Sequence, residues 1–77
     1  MITKKLFKTI NELQEVQRLA THCPDDVAFH SLDSQIIIDA KSYIGMYALD
    51  FSQPVLVVSE NENFHKQIDG IGENVAE

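Results

Sequence analysis

The sequence has no tryptophan, one cysteine, two prolines, three glycines and six basic residues among 77. A lone cysteine, Cys23, cannot close an internal disulfide, so the fold must be held by its core. Six basic residues against twelve acids leave a net charge of −6. That balance excludes the basic patch a phosphate-backbone partner needs, and no nucleic-acid partner is expected. No run approaches the roughly 18 consecutive apolar residues of a membrane span, so no membrane partner is expected either. The opening "MITKKLFKTI" lacks the apolar stretch and small-residue cleavage site of a secretory signal, and a cytoplasmic location is the expectation. There is no glycine-rich phosphate loop, because Gly70 and Gly72 lie in "DGIGEN" with no strand before them.

What is present suits one small domain, residues 1–77. A chain of this size buries only about 60% of its unfolded surface, so modest stability is expected. "KKLFKTI" reads as a short first strand whose lysines discourage edge pairing. Asn11 with Gln14 three residues on resembles a capping box, and Leu13, Val16, Leu19 and Ala20 recur at helical spacing. Glu12, Glu15, Gln17 and Arg18 would take the opposite, solvated face. Pro24 ends that helix.

"VAFHS" alternates, with Val27 and Phe29 inward, and "QIIIDA" after the turn "LDS" gives its hairpin partner. Pro54 can open a strand, and the unbroken Val55–Val58 run suits an interior one. Asn61 or Asn63 would start a last helix burying Phe64, Ile68 and Ile71, fraying at Gly70 and Gly72. The expected order is β-α-β-β-α-β-α: an α+β fold with a four-stranded antiparallel sheet and helices on one face.

Between the third strand and Pro54 lies "DAKSYIGMYALD". A short helix starting at Ser42 would make that serine its N-cap, among unsatisfied amides at the positive helix end, where phosphorylation would be stabilised. The plainer reading is an unmodified cap. Helical spacing puts Met46 and Leu49 on one face for the core, and gathers Tyr43, Ile44 and Tyr47 into a triangle facing water, a candidate partner-docking patch. Tyrosines lying flat over the sheet edge are the alternative.

This stretch, "AKSYIGMYALDFSQPVLVV", resembles the regulatory-serine region of the HPr family, the small phosphocarriers of the bacterial sugar phosphotransferase system. In that family a Lys-Ser pair ends a strand and opens a short helix of two hydrophobics, a glycine and further hydrophobics, followed by a strand. Lys41, Ser42, Tyr43, Ile44, Gly45, Met46, Tyr47, Leu49 and Val55–Val58 match in order and spacing, over residues 40–58. The resemblance implies an HPr-like open-faced β-sandwich with three helices on one side. It also implies that Ser42 corresponds to the serine modified by the HPr kinase/phosphorylase, and that Tyr43, Ile44 and Tyr47 belong to the surface that docks protein partners.

The departure is at the carrier centre. The family presents its phosphoryl-accepting histidine just before helix one, in a Gly-hydrophobic-His-x-Arg-Pro-Ala-like motif. Here the matching segment reads "KTINELQEV", with no histidine and no Arg-Pro. The expectation is therefore a non-enzymatic HPr-like regulatory or adaptor protein, without carrier activity, cofactor or metal. The alternative is a small-ligand-binding domain of ferredoxin-like or ACT-like type, whose sheet would set β1 beside β3 at its centre. A third reading has another histidine accept phosphate.

The remaining polar candidates have simpler roles. His22 suits the C-terminal end of helix one, and His30 and His65 are expected to be solvated. The His22–Cys23 pair lacks metal-site spacing and suits thiol chemistry poorly; Cys23 reads as a small, half-buried residue. Asp25, Asp26 and Asp33 occupy turns, where aspartate is favoured.

Overall fold

The structure is a computed structural model, which describes residues 1–42 and 49–75. Five strands and two helices are found there: β1 (Ile2–Leu6), α1 (Ile10–His22), β2 (Ala28–His30), β3 (Ile37–Asp39), β4 (Val55–Val58), α2 (Glu62–Gln67) and β5 (Glu73–Asn74). They form an α+β fold whose single antiparallel sheet has the order β3-β2-β4-β1-β5. The expected count of four strands is corrected to five. The helix expected to start at Ser42 lies outside the described residues.

Strand pairing divides the side chains cleanly. Phe29 faces Ile38 on one side and Val57 on the other, and Thr3 lies opposite Val57. Because successive residues alternate across a sheet, this row and Val55 share the face covered by both helices. Against it pack Leu13, Val16 and Ala20 of α1, Phe64 of α2 and Ile68, which follows α2. Phe7, Phe29 and the half-buried Phe51 add a cluster with centroids 5.7–6.3 Å apart, and full burial of such a ring contributes about 1.5–3 kcal/mol. The opposite rows, Ile37–His30–Leu56–Lys4 and Asp39–Ala28–Val58–Ile2, carry no helix among the described residues.

β1 begins two residues earlier than its sequence pattern suggests and is an interior strand. Its lysines therefore guard no edge. The reason lies at the other end of the chain, where α2 stops at Gln67 and the chain reverses through Gly72 to pair as β5. Gly72 has φ +70°, and a Cβ there would lie 3.0 Å from the Leu6 carbonyl oxygen and the Phe7 ring. Only glycine makes that turn without strain. The expected fraying helix is thus replaced by a turn and a strand, although Asn61 does cap α2 and Phe64 and Ile68 are buried as expected.

α1 also starts earlier. Its N-cap is Thr9, not Asn11: the Thr9 hydroxyl accepts from Glu12 N at 3.2 Å, and the Glu12 carboxylate accepts from Thr9 N at 3.2 Å. Thr-x-x-Glu is the stronger capping box, since the carboxylate also meets the helix dipole. Gln17, expected on the wet face, is 4% exposed and points inward.

β1 and β3 are not neighbours: β1 lies between β4 and β5, and β3 is an edge strand against β2. That order is not the one a ferredoxin-like or ACT-like sheet would have. No helix among the described residues is long and apolar enough to cross a membrane.

Candidate functional site

Two places bear on the expected chemistry: the exit of β3, where Ser42 lies, and the N-terminus of α1, where a carrier histidine would stand. At the first, the chain leaves β3 through a turn tied by Asp39. Its carboxylate accepts from Lys41 N at 2.9 Å, and its carbonyl oxygen accepts from Ser42 N at 3.0 Å. Lys41 Nζ donates to the Cys23 carbonyl oxygen at 3.0 Å, fastening this turn to the end of α1. Ser42 is exposed on the outside of that turn. Leu49 is buried in the core as expected. Tyr43, Ile44, Met46 and Tyr47 lie outside the described residues.

At the second place, the amides of a helix start are commonly an anion site. Here the anion is built in. Glu12 Oε1 accepts from Lys8 N at 2.7 Å as well as from Thr9 N, so the carboxylate folds back onto the two amides that immediately precede α1. Beside it is an open groove of about 250 Å³ lined by Phe7, Lys8, Ile10, Leu13, Phe51 and Ser52, together with Thr9. No histidine lines it. Lys8, its nearest cation, is paired with Glu73 at 3.1 Å. Arg18 lies further along α1 and is engaged by Glu15, and its hydrogen bond holds the Glu15 carboxyl below the ordinary range.

The three histidines are placed elsewhere. His22 ends α1, about 18 Å from the first helical residue, and its Nδ1 donates to the Arg18 carbonyl oxygen at 2.9 Å. It is a C-terminal cap. His30 is half-buried on the helix-free face of the sheet. His65, expected in solvent, is buried in α2: its Nε2 donates to the Ser59 carbonyl oxygen at 2.9 Å, and Nδ1 shares a 2.7 Å bond with the Thr3 hydroxyl. A carbonyl can only accept, so Nε2 carries a proton and neither ring nitrogen is left to attack a phosphoryl donor. His65 is drawn inward by these two bonds, one to Thr3 of β1 and one to the residue after β4.

Comparison with protein-family models, with curated proteins and with solved structures finds no match to this chain.

Asp25 accepts from Asn61 Nδ2 at 2.9 Å, linking the loop before β2 to the start of α2. Asp33 accepts from the Ser31 hydroxyl at 2.6 Å and from Gln35 N at 3.1 Å, a turn role as expected. Cys23 is buried. No group of three or more metal-ligating side chains occurs among the described residues. A second groove, of about 320 Å³, is lined by Met1, Thr3, Glu62, His65, Lys66 and Asp69, with charges of both signs.

Sequence reasoning missed four polar residues of the interior: Lys5, Gln17, Ser59 and His65. For Lys5 a signal was present, since it alternates in step with Thr3 on a strand. Nothing local announces the carbonyl oxygens that satisfy it.

Proposed function

We propose that the chain is an HPr-like regulatory or adaptor protein without phosphocarrier activity, which docks protein partners around Ser42, Tyr43, Ile44 and Tyr47. The observation that carries the loss of carrier chemistry is Glu12. Its carboxylate is bound to the amides of Lys8 and Thr9, immediately before α1, where the HPr-like arrangement needs a histidine. A phosphoryl group brought there would meet the negative charge of that carboxylate.

The antiparallel sheet, with both described helices on one face, supports the HPr-like reading of the fold. The separation of β1 from β3 removes the strand order on which the small-ligand-binding alternative depended. Exposure of Ser42 on a turn braced by Asp39 and Lys41 supports a regulatory role, because the residue lies at the surface beyond the end of the strand. Phosphate there would add close to two negative charges beside the docking residues.

The test is to incubate the chain with an HPr kinase and ATP and to map phosphate by mass spectrometry. Modification at Ser42, abolished by Ser42→Ala, is the expected result. Absence of modification by a kinase that is active on an authentic HPr would leave Ser42 as an ordinary turn residue and overturn the regulatory part of the proposal.

A further inference from the structure

The two edges of the sheet are finished very differently. β5 is two residues long; Glu73 is paired with Lys8, and Asn74 Nδ2 donates to the Asp69 carboxylate at 3.1 Å. Such a short, charged edge resists further pairing. β3, three residues long and ending in Asp39, is less protected. It belongs to the run Ile36–Ile37–Ile38, contains no proline or lysine, and among the described residues nothing pairs with its outer side.

Register shows what that outer side presents. Ser31 N donates to the Ile36 carbonyl oxygen and Ala40 N to that of Val27, so the bonded positions between β2 and β3 are 36, 38 and 40. Antiparallel ladders alternate. The N–H and C=O of Ile37 and the N–H of Asp39 therefore point away from the sheet, while the Asp39 carbonyl oxygen is taken by Ser42 N. Ile37 is 60% exposed and Ile36 42%.

We infer that β3 pairs antiparallel with β3 of a second copy of this chain, centred on Ile37 against Ile37. A two-fold axis there lets the Ile37 N–H and C=O of each copy bond those of the other, and an antiparallel edge is self-complementary in this way. In that register Asp39 N–H faces the Gln35 carbonyl oxygen of the second copy, and the Asp39 side chain faces an amide rather than a carboxylate. Shifting the register to oppose Asp39 with Asp39 sets like charges together and meets a carbonyl already in use. Two exposed isoleucines meet at the centre, continuing each sheet into a ten-stranded one.

Sedimentation equilibrium of the full chain over a wide concentration range, with amide exchange followed by NMR, tests the inference. The expected result is a monomer–dimer equilibrium in which Ile37 N–H exchange slows as concentration rises while that of Ile38, already bonded within the monomer, does not change. Ile37→Lys raises the dissociation constant about tenfold or more. Ile37→Pro does the same by removing an N–H that bonds nothing inside the monomer. Circular dichroism identifies whichever variant keeps its fold. A chain that stays monomeric throughout, or a dimer whose Ile37 amide exchange is independent of concentration, overturns the inference.

Discussion

Lys5, with no exposed surface, donates from Nζ to the Ile71 carbonyl oxygen at 2.6 Å, joining the middle of β1 to the turn that leads into β5. A second bond, 3.2 Å long, goes to the Asp69 carbonyl oxygen. The lysine takes the place of a cap for the last carbonyls after α2, and its aliphatic stem fills the space a core residue would. Replacing it by alanine leaves a cavity and two carbonyl oxygens without their donor. The expected loss in urea denaturation is about 2–4 kcal/mol. Lys5→Met, which keeps the volume, should lose less than Lys5→Ala.

The same residue gives stability a pH dependence with a definite sign. Burial pushes the Lys5 pKa below 10.5, against the opposing pull of the Asp69 and Glu12 carboxylates. The charged form is thus less favoured in the folded state than in the unfolded one. Its cost is complete below the lowered folded pKa and disappears as pH rises from there to 10.5. The stability difference between the native chain and Lys5→Met should shift in favour of the native chain across that alkaline window, as read from urea midpoints at successive pH values.

At the start of α1, Thr9 and Glu12 satisfy one another's backbone amides. Thr9→Ala should cost about 1 kcal/mol, and Thr9→Ser should restore most of it, because a serine hydroxyl caps as well as a threonine. Asn11→Ala should change stability little. Thermal unfolding of the three variants distinguishes this cap from the one the Asn-x-x-Gln pattern suggests.

Acid should loosen two turns. The Asp33 carboxyl is held below 3.8 by the Ser31 hydroxyl and by Gln35 N, and that of Asp50 by the Ser52 hydroxyl and amide with help from Gln53. For a carboxylate lowered in the folded state, the stabilisation is present above its unfolded pKa and is lost as pH falls through the folded one. Both carboxyl resonances should titrate in NMR with midpoints below 3.8, and Ser31→Ala should move that of Asp33 back toward its ordinary value.

The docking patch proposed beside Ser42 makes a mutational prediction of its own. Tyr47→Ala should cost little stability while weakening capture of an HPr-binding partner. A loss of several kcal/mol, as for truncating a core aromatic, would return Tyr47 to the interior.

How much of this was legible depended on whether the information was local. The alternation of Val27 and Phe29, the apolar run of β4 and the 3.6-residue recurrence of Leu13, Val16 and Ala20 each specify an element and its buried face, and all are found. β5 was not legible, because Glu73 and Asn74 have no strand pattern and pair only through the turn at Gly72. The Thr9–Glu12 cap was legible but competed with a similar signal two residues on. His65 and Lys5 look like surface residues until the Ser59, Asp69 and Ile71 carbonyl oxygens are brought to them by the fold. Of the candidate site, the turn at Ser42 was anticipated as a strand exit, whereas the bracing by Asp39 and Lys41 requires tertiary contacts.

We propose an HPr-like chain without a carrier centre, in which the Glu12 carboxylate lies where a carrier histidine would stand. Phosphorus NMR of the chain incubated with enzyme I and phosphoenolpyruvate tests it most directly, with an authentic HPr as the positive control. No phosphohistidine signal on this chain is the predicted result; a stoichiometric phosphohistidine at His22, His30 or His65 would contradict it.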